Sequence, residues 1–218
     1  MASLVEENYL KALFNLVNEF GEIGMSDLSA HLDVSKPSAN SMMKNLHLKG
    51  LVHYEKYKPI HLTLKGKKAA ALIVRKHRLT EMYLVEKMGF GWEQVHEVAE
   101  QIEHIQSDLF FRRMDELLDH PTVDPHGSPI PNADGEIQWP NYTPLSECKA
   151  GDKVKLLALN QSSTAFLEFL NSKELELGIR LVVEYVEPFD ASIEVSYPGH
   201  PKEVLSVMAA EKLLVERI

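Results

Sequence analysis

His96, Glu100, Glu103 and His104 stand at offsets 0, 4, 7 and 8. On a helix advancing about 100° per residue, all four fall within an arc of about 100°. The segment before them carries His77 and Glu81, an i, i+4 pair that also shares one helix face. Packed antiparallel, two such helices bring together three imidazoles and three carboxylates. That donor set suits a divalent first-row metal, with room for two ions, and excludes soft thiolate chemistry. The one cysteine, Cys148, can form neither an intramolecular disulfide nor a thiolate cage, so a metal here is held by His and carboxylate. A single His/Glu pair at this spacing is ordinarily a surface ion pair; six donors on two neighbouring helices point to metal binding instead. Catalysis finds less support on the same residues. HEVAE (96–100) shares its first two letters with the zinc-protease pattern, but that chemistry needs histidine where Glu100 stands. A di-iron bundle needs two Glu-x-x-His repeats, and only Glu93 to His96 has that spacing. With no Ser/His/Asp arrangement, phosphate loop or dinucleotide fingerprint, no enzyme is expected.

The elements that position these donors follow from periodicity. Leu4, Leu10, Leu13, Phe14 and Val17 recur at helical spacing over 4–18, and Phe20-Gly21 is expected to end that helix. Two short helices follow, Met25 to Leu32 with Ser26 as the expected cap, and Ser35 to about Leu48 with Ser35 capping and Pro37 in the first turn. Residues 51–63 alternate like a hairpin around Lys58-Pro59. Helix, turn, helix and β wing is the winged helix-turn-helix order. A long helix is expected from Leu64 to about Met88 and a second from Trp92 to Leu118, separated by Gly89-Phe90-Gly91. Six prolines between His120 and Pro144 predict a linker and a domain boundary. Beyond it DKVKLLAL, IRLVVEYVE, ASIEVSY and AEKLLVERI read as strands, with a helix at Thr164 to Leu170, and suggest a small β-barrel.

Composition agrees with a globular chain: 218 residues, 44% hydrophobic and 25% charged. No run approaches the roughly 18 apolar residues of a membrane span, and MASLVEENYL has neither the basic start nor the apolar stretch of a signal peptide. A cytoplasmic protein with no membrane partner is expected. The net charge of −9 hides an asymmetry. Residues 34–80 hold eleven basic side chains against one acid, whereas 89–218 hold ten against twenty-three. A basic module joined to an acidic remainder suits a DNA-binding domain carried by a regulatory body. A metal buffer with a vestigial helix-turn-helix, or a winged-helix regulator answering an organic ligand, are the readings from other classes. On the second helix, Asn40 is placed to read adenine through two hydrogen bonds.

RKHRLTEMYL (75–84), VHEVAEQIEHIQSD (95–108) and DPHGSPIP (124–131) resemble the DtxR/MntR family of metal-dependent transcriptional repressors, over nearly the whole chain. YEKYKPIHLTLKGKK (54–68) is similar to the wing of its manganese-responsive branch. The resemblance implies a mainly α fold with a small β domain. A winged helix-turn-helix would occupy 1–71, a helical metal-binding and dimerisation domain with its Pro-rich linker 72–144, and an SH3-like (FeoA-like) barrel 145–218. It further implies a homodimer on double-stranded DNA with a palindromic operator. His77, Glu81 and His96 match one family metal position; Glu100, Glu103 and His104 match donors of the other, with Asn8 where members place aspartate or methionine. Glutamate at 100 rather than cysteine tilts the expected ion to Mn²⁺, with Fe²⁺ as the alternative. Lys11 stands where the manganese branch has glutamate, so two-ion geometry does not carry over. Ser35, Pro37, Ser38 and Ser41 match the DNA-facing positions of the recognition helix, and Lys36, Lys44, Lys56 and Lys58 would bind phosphates.

Overall fold

The computed structural model describes residues 3–20, 22–160 and 162–218. The expected helix stop at Gly21 lies outside them. Helix α1 (Leu4–Phe20) opens with a reciprocal cap: the Ser3 amide donates to Glu6 Oε2 (2.9 Å) and the Glu6 amide donates to Ser3 Oγ (3.3 Å). α2 (Met25–His31) starts two residues earlier than Ser26 capping predicts. Gly24 is its cap residue, and Asp27 Oδ2 accepts from the Gly24 amide at 3.2 Å. α3 (Lys36–Leu48) begins as expected, with Ser35 Oγ accepting from the Ser38 amide and proline in the first turn. The wing is a short antiparallel pair, β1 (Val52–His53) and β2 (His61–Leu62), with Val52 opposite Leu62. α4 (Leu64–Met88) follows directly.

In place of one helix over Trp92–Leu118, the chain forms α5 (His96–Ile102) and α6 (Asp108–Leu117). Ser107 causes the break: its side chain accepts from the Phe110 amide (3.3 Å), the cap of a new helix competing with continuation of the old one.

The chain divides into two compact units. The first comprises residues up to 80, 98–122 and 130–138; the second comprises 81–97, 123–129 and 139–218. In the first, Leu10 and Leu13 of α1, Leu28 of α2, Met43 and Leu46 of α3, Ile60 beside the wing and Ala70 of α4 form one buried core. Gly66 lets α4 lie against the wing, because a Cβ there would stand 1.9 Å from the Leu51 carbonyl oxygen.

The second unit contains a six-stranded antiparallel sheet. Its strands are β3 (Thr143–Pro144), β4 (Lys153–Leu159), β5 (Arg180–Val186), β6 (Ile193–Tyr197), β7 (His200–Leu205) and β8 (Leu213–Arg217), in the order β3-β8-β4-β5-β6-β7. This is the expected small β domain. Alternate residues such as Val154, Leu156, Leu181, Val183, Ile193 and Val195 form its core with Phe166, Leu167 and Leu170 of α7 (Thr164–Ser172). A one-turn helix, α8 (Val207–Ala210), precedes the closing strand. β3 and β7 escape sequence reading because edge strands need little apolar alternation, and each tolerates a proline, Pro144 and Pro201.

The proline-rich stretch is folded, contrary to the expectation of an unpacked linker. Asp124, His126, Ile130 and Pro131 are buried. The Asp124 carboxylate accepts from the amides of His126 (2.8 Å) and Ser128 (2.9 Å), doing locally what a strand partner would do. In the first unit Arg75 donates to the Pro131 carbonyl at 2.7 Å. No helix among the described residues is long and apolar enough to cross a membrane.

Gly66→Ala is expected to push α4 off the wing at a cost of about 1–3 kcal/mol, read as a lower denaturant midpoint. An unchanged midpoint would contradict the close approach. In the β domain, burial reinforced by the charges of Glu203 and Glu174 pushes the Tyr197 phenol up to about 12, and its hydroxyl donates to the Lys173 carbonyl at 2.9 Å. The folded state thus holds this proton more tightly than the unfolded chain. Its contribution is complete below the ordinary value of 10 and is lost as pH rises through about 12. Unfolding free energy of the unaltered protein should therefore fall more steeply over that interval than that of Tyr197→Phe, by about 3 kcal/mol at most.

Candidate metal centre and nucleic-acid interface

In the first unit, α1 presents Glu7, Asn8 and Lys11 within one turn, α4 presents His77, and the end of α5 with the turn after it presents Glu100, Glu103 and His104. Glu103 is fully buried. A carboxylate removed from water is tolerated only with compensating charge or hydrogen bonds, and both are present. Lys11 Nζ lies 2.9 Å from Glu103 Oε2 and 2.7 Å from Oε1, and it also donates to Glu100 Oε1 at 2.5 Å. His77 Nδ1 donates to Glu103 Oε2 at 2.5 Å, which in the neutral imidazole leaves Nε2 as the basic nitrogen. His104 Nδ1 donates to Glu7 Oε2 at 2.7 Å, while its Nε2 stands 3.8 Å from Glu103 Oε1. Gln106 completes the Glu7 contacts at 3.0 Å.

Two oxygens of this cluster, Asn8 Oδ1 and Glu103 Oε1, are buried and receive no hydrogen bond, although the second has the Lys11 ion pair. Buried acceptors without donors fit a cation-binding role. The donors are carboxylate, amide oxygen and imidazole, which hold Mn²⁺, Fe²⁺ or Zn²⁺, whereas Cys148 lies buried in the core of the β domain. Glu7 was not singled out by sequence. Its signal is that it shares the apolar face of α1, three residues before Leu10 and seven before Phe14, where a solvated carboxylate does not belong.

In the second unit, His96 Nδ1 lies 3.3 Å from Glu81 Oε1. His126 Nδ1 lies 3.9 Å from Glu81 Oε2 and 4.0 Å from Asp124 Oδ1, and its Nε2 is 2.9 Å from the Trp92 carbonyl. One ligand atom each from Glu81, Asp124 and His126 fits within 4.8 Å, and all three residues are buried. Sequence reading places Asp124 and His126 in the proline-rich stretch and in the family-like DPHGSPIP motif but names neither as a ligand, although DPHG sets an imidazole two residues from a carboxylate. The structure thus gathers Asn8, His77, Glu100, Glu103 and His104 in one unit and Glu81 with His96 in the other.

The nucleic-acid candidates sit on α3 and the wing. Ser35, Lys36, Pro37, Ser38, Ser41 and Lys44 are exposed, and Asn40 is half-buried. Ser35 and Ser38 share a hydroxyl contact of 2.8 Å as well as the helix cap. Asn40 Oδ1 accepts from the Tyr54 hydroxyl, so one of its two lone pairs is already committed to the wing. A groove lined by Asn40, Lys44, His47, Leu48, Tyr54 and Lys56 runs between helix and wing. Lys56 lies over the Tyr57 ring at 4.8 Å, and Lys58 pairs with Glu55 at 2.5 Å, a surface contact that phosphate can replace cheaply.

Comparison with known proteins adds the family. Residues 1–60 match the family model "Iron dependent repressor, N-terminal DNA binding domain", and residues 63–132 match "Iron dependent repressor, metal binding and dimerisation domain". The iron-dependent repressor IdeR of Mycobacterium tuberculosis is 27% identical over 224 residues, covering 97% of this chain and 96% of that one. The diphtheria toxin repressor of Corynebacterium diphtheriae is 30% identical over 222 residues, covering 96% of each. Among solved structures, a manganese-dependent transcriptional repressor in complex with manganese superposes with a TM-score of 0.88 at 30% identity, covering 97% of this chain and 99% of that one. The expectation of a non-enzymatic regulator agrees with these relatives, all of them transcriptional repressors. With matches to both domains and to full-length relatives, the chain belongs to the DtxR/MntR family of metal-dependent transcriptional repressors.

Proposed function

We propose that the protein is a repressor activated by Mn²⁺ that binds a palindromic operator as a homodimer. The observation that carries the choice of ion is Glu100, a hard oxygen donor beside Glu103 and His104, where a thiolate would favour softer ions. Fe²⁺ is the second reading, supported by the full-length likeness to IdeR. His77, Glu81 and His96 would form one ligand set; Glu100, Glu103, His104 and Asn8 would form the other. The domains would be 1–71 for DNA binding, 72–144 for metal binding and dimerisation, and 145–218 for the β domain.

A divalent ion supplies two positive charges and fixed coordination angles to these donors. The residues do the rest through α1. Near its start, Glu6 accepts from Asn45 at 2.6 Å and pairs with Lys49, joining α1 to the recognition helix α3 and the residue that caps it. One residue on, Glu7 holds His104, and one turn on, Lys11 holds Glu100 and Glu103. A single helix therefore links the metal donors to the recognition helix, and a change of charge at one end alters the placement of the other. Ser35, Pro37, Ser38, Asn40 and Ser41 would face base edges, and Lys36, Lys44, Lys56 and Lys58 the phosphates. Small hydroxyls discriminate bases weakly, so DNA shape contributes. Metal must favour the DNA-competent arrangement: shifting a population from 1:99 to 99:1 takes about 5.5 kcal/mol of differential binding.

The test is selection of bound duplexes from fragmented genomic DNA in chelator, Mn²⁺ and anaerobic Fe²⁺, alongside a His77→Ala, His104→Ala double variant. Recovery of one palindrome with metal, lost in the variant, is expected; recovery indifferent to metal and mutation would contradict the proposal. On that palindrome, Lys44→Ala combined with Lys56→Ala should reduce the slope of log affinity against log salt by about 0.9 for each phosphate contact removed. Sequence preference should persist.

A further inference from the structure

Lys11 Nζ lies 2.5 Å from Glu100 Oε1, 2.7 Å from Glu103 Oε1 and 2.9 Å from Glu103 Oε2, with its side chain 11% exposed and that of Glu103 fully buried. Three carboxylate oxygens from two residues thus surround one ammonium. This is the environment a cation-binding site provides, and it is filled by a side chain of the protein itself. An ammonium donates three hydrogens to lone pairs; a divalent ion needs the same lone pairs at about 2.0–2.2 Å. The two cations cannot share these oxygens, and at such separation they repel strongly in a water-poor site.

We infer that Lys11 is a built-in counter-ion that competes with the divalent metal for Glu100 and Glu103. The inference rests on the reading of those two glutamates as metal ligands. Without metal, the ammonium compensates the buried Glu103 and the half-buried Glu100 and keeps α1 attached to α5. With metal, Nζ must withdraw, which its flexible four-carbon stem permits by carrying the charge toward water. The switch is then an exchange of cations at a permanent joint rather than the closing of an open one. Metal affinity is reduced by the cost of expelling the lysine, which sets the activation threshold to higher metal concentration. Nor is there a carboxylate at position 11 to bridge a second ion.

The experiment is Mn²⁺ titration of the full-length protein, following free Mn²⁺ by electron paramagnetic resonance, for the unaltered chain, Lys11→Met, Lys11→Arg and Lys11→Glu. Circular dichroism confirms folding, and Lys11→Gln replaces the methionine variant should that fail to fold. Lys11→Met is expected to bind Mn²⁺ at least ten-fold more tightly, Lys11→Arg to stay within three-fold of the unaltered protein, and Lys11→Glu to take up one additional equivalent. In chelator, Lys11→Met should melt at lower temperature, because two carboxylates lose their cation. Equal affinity and stoichiometry across folded variants that all bind Mn²⁺ would overturn the inference and leave the proposed function intact. Absence of Mn²⁺ binding in every variant would overturn both.

Discussion

The carboxylate of Glu103, fully buried at the end of α5, is the constraint on which the rest of the first unit depends. Removing an ionised carboxylate from water costs several kcal/mol even after relaxation, so positive charge must be brought to it. Lys11 of α1 supplies that charge, His77 of α4 adds a hydrogen bond, and the His104 imidazole lies 3.8 Å away. The α1–α4–α5 junction is therefore held by charge as much as by apolar contact. Such a junction responds to cations in a way a hydrophobic one cannot.

The apolar core has a different task in the same unit. Leu10 and Leu13 of α1 are buried with Met43 and Leu46 of α3, so α1 and the recognition helix form one body with the wing beside it. Glu6 adds a polar joint through Asn45 and Lys49, and the Lys49 ammonium holds the Glu6 carboxyl below the usual carboxylate range. One side of α1 thus packs on α3, while successive residues carry the charged cluster. The proposed base-facing positions on α3 are small side chains, of which Ser35 also caps the helix by accepting from the Ser38 amide.

Much of this was legible in the sequence because the relevant signals are local. Hydrophobic spacing marks α1 and α4, the Ser35-Lys36-Pro37 start marks α3, and β-branched runs mark β4, β5 and β6. The histidine and glutamate spacing identified four donors that the fold collects beside α1, His77, Glu100, Glu103 and His104, and resemblance supplied Asn8 on α1 itself. What escaped depends on tertiary partners. The break between α5 and α6 comes from a cap at Ser107, one serine among many. The turn at 124–128 comes from an Asp124 carboxylate accepting from two amides, where proline counting predicts a linker. Glu7, Asp124 and His126 became candidates only when the fold set imidazoles and carboxylates together. Lys11 was visible as a departure from the family pattern, but its contacts with two glutamates some ninety residues away were not.

The proposed switch has divalent metal acting at the carboxylates that Lys11 now neutralises. The most direct measurement is anomalous diffraction at the manganese edge from crystals of the Mn²⁺-loaded protein bound to DNA. An anomalous peak ligated by Glu100 and Glu103, with Lys11 Nζ withdrawn from both, is expected. A DNA complex in which Lys11 still bridges the two glutamates, with no manganese bound to either, would contradict it.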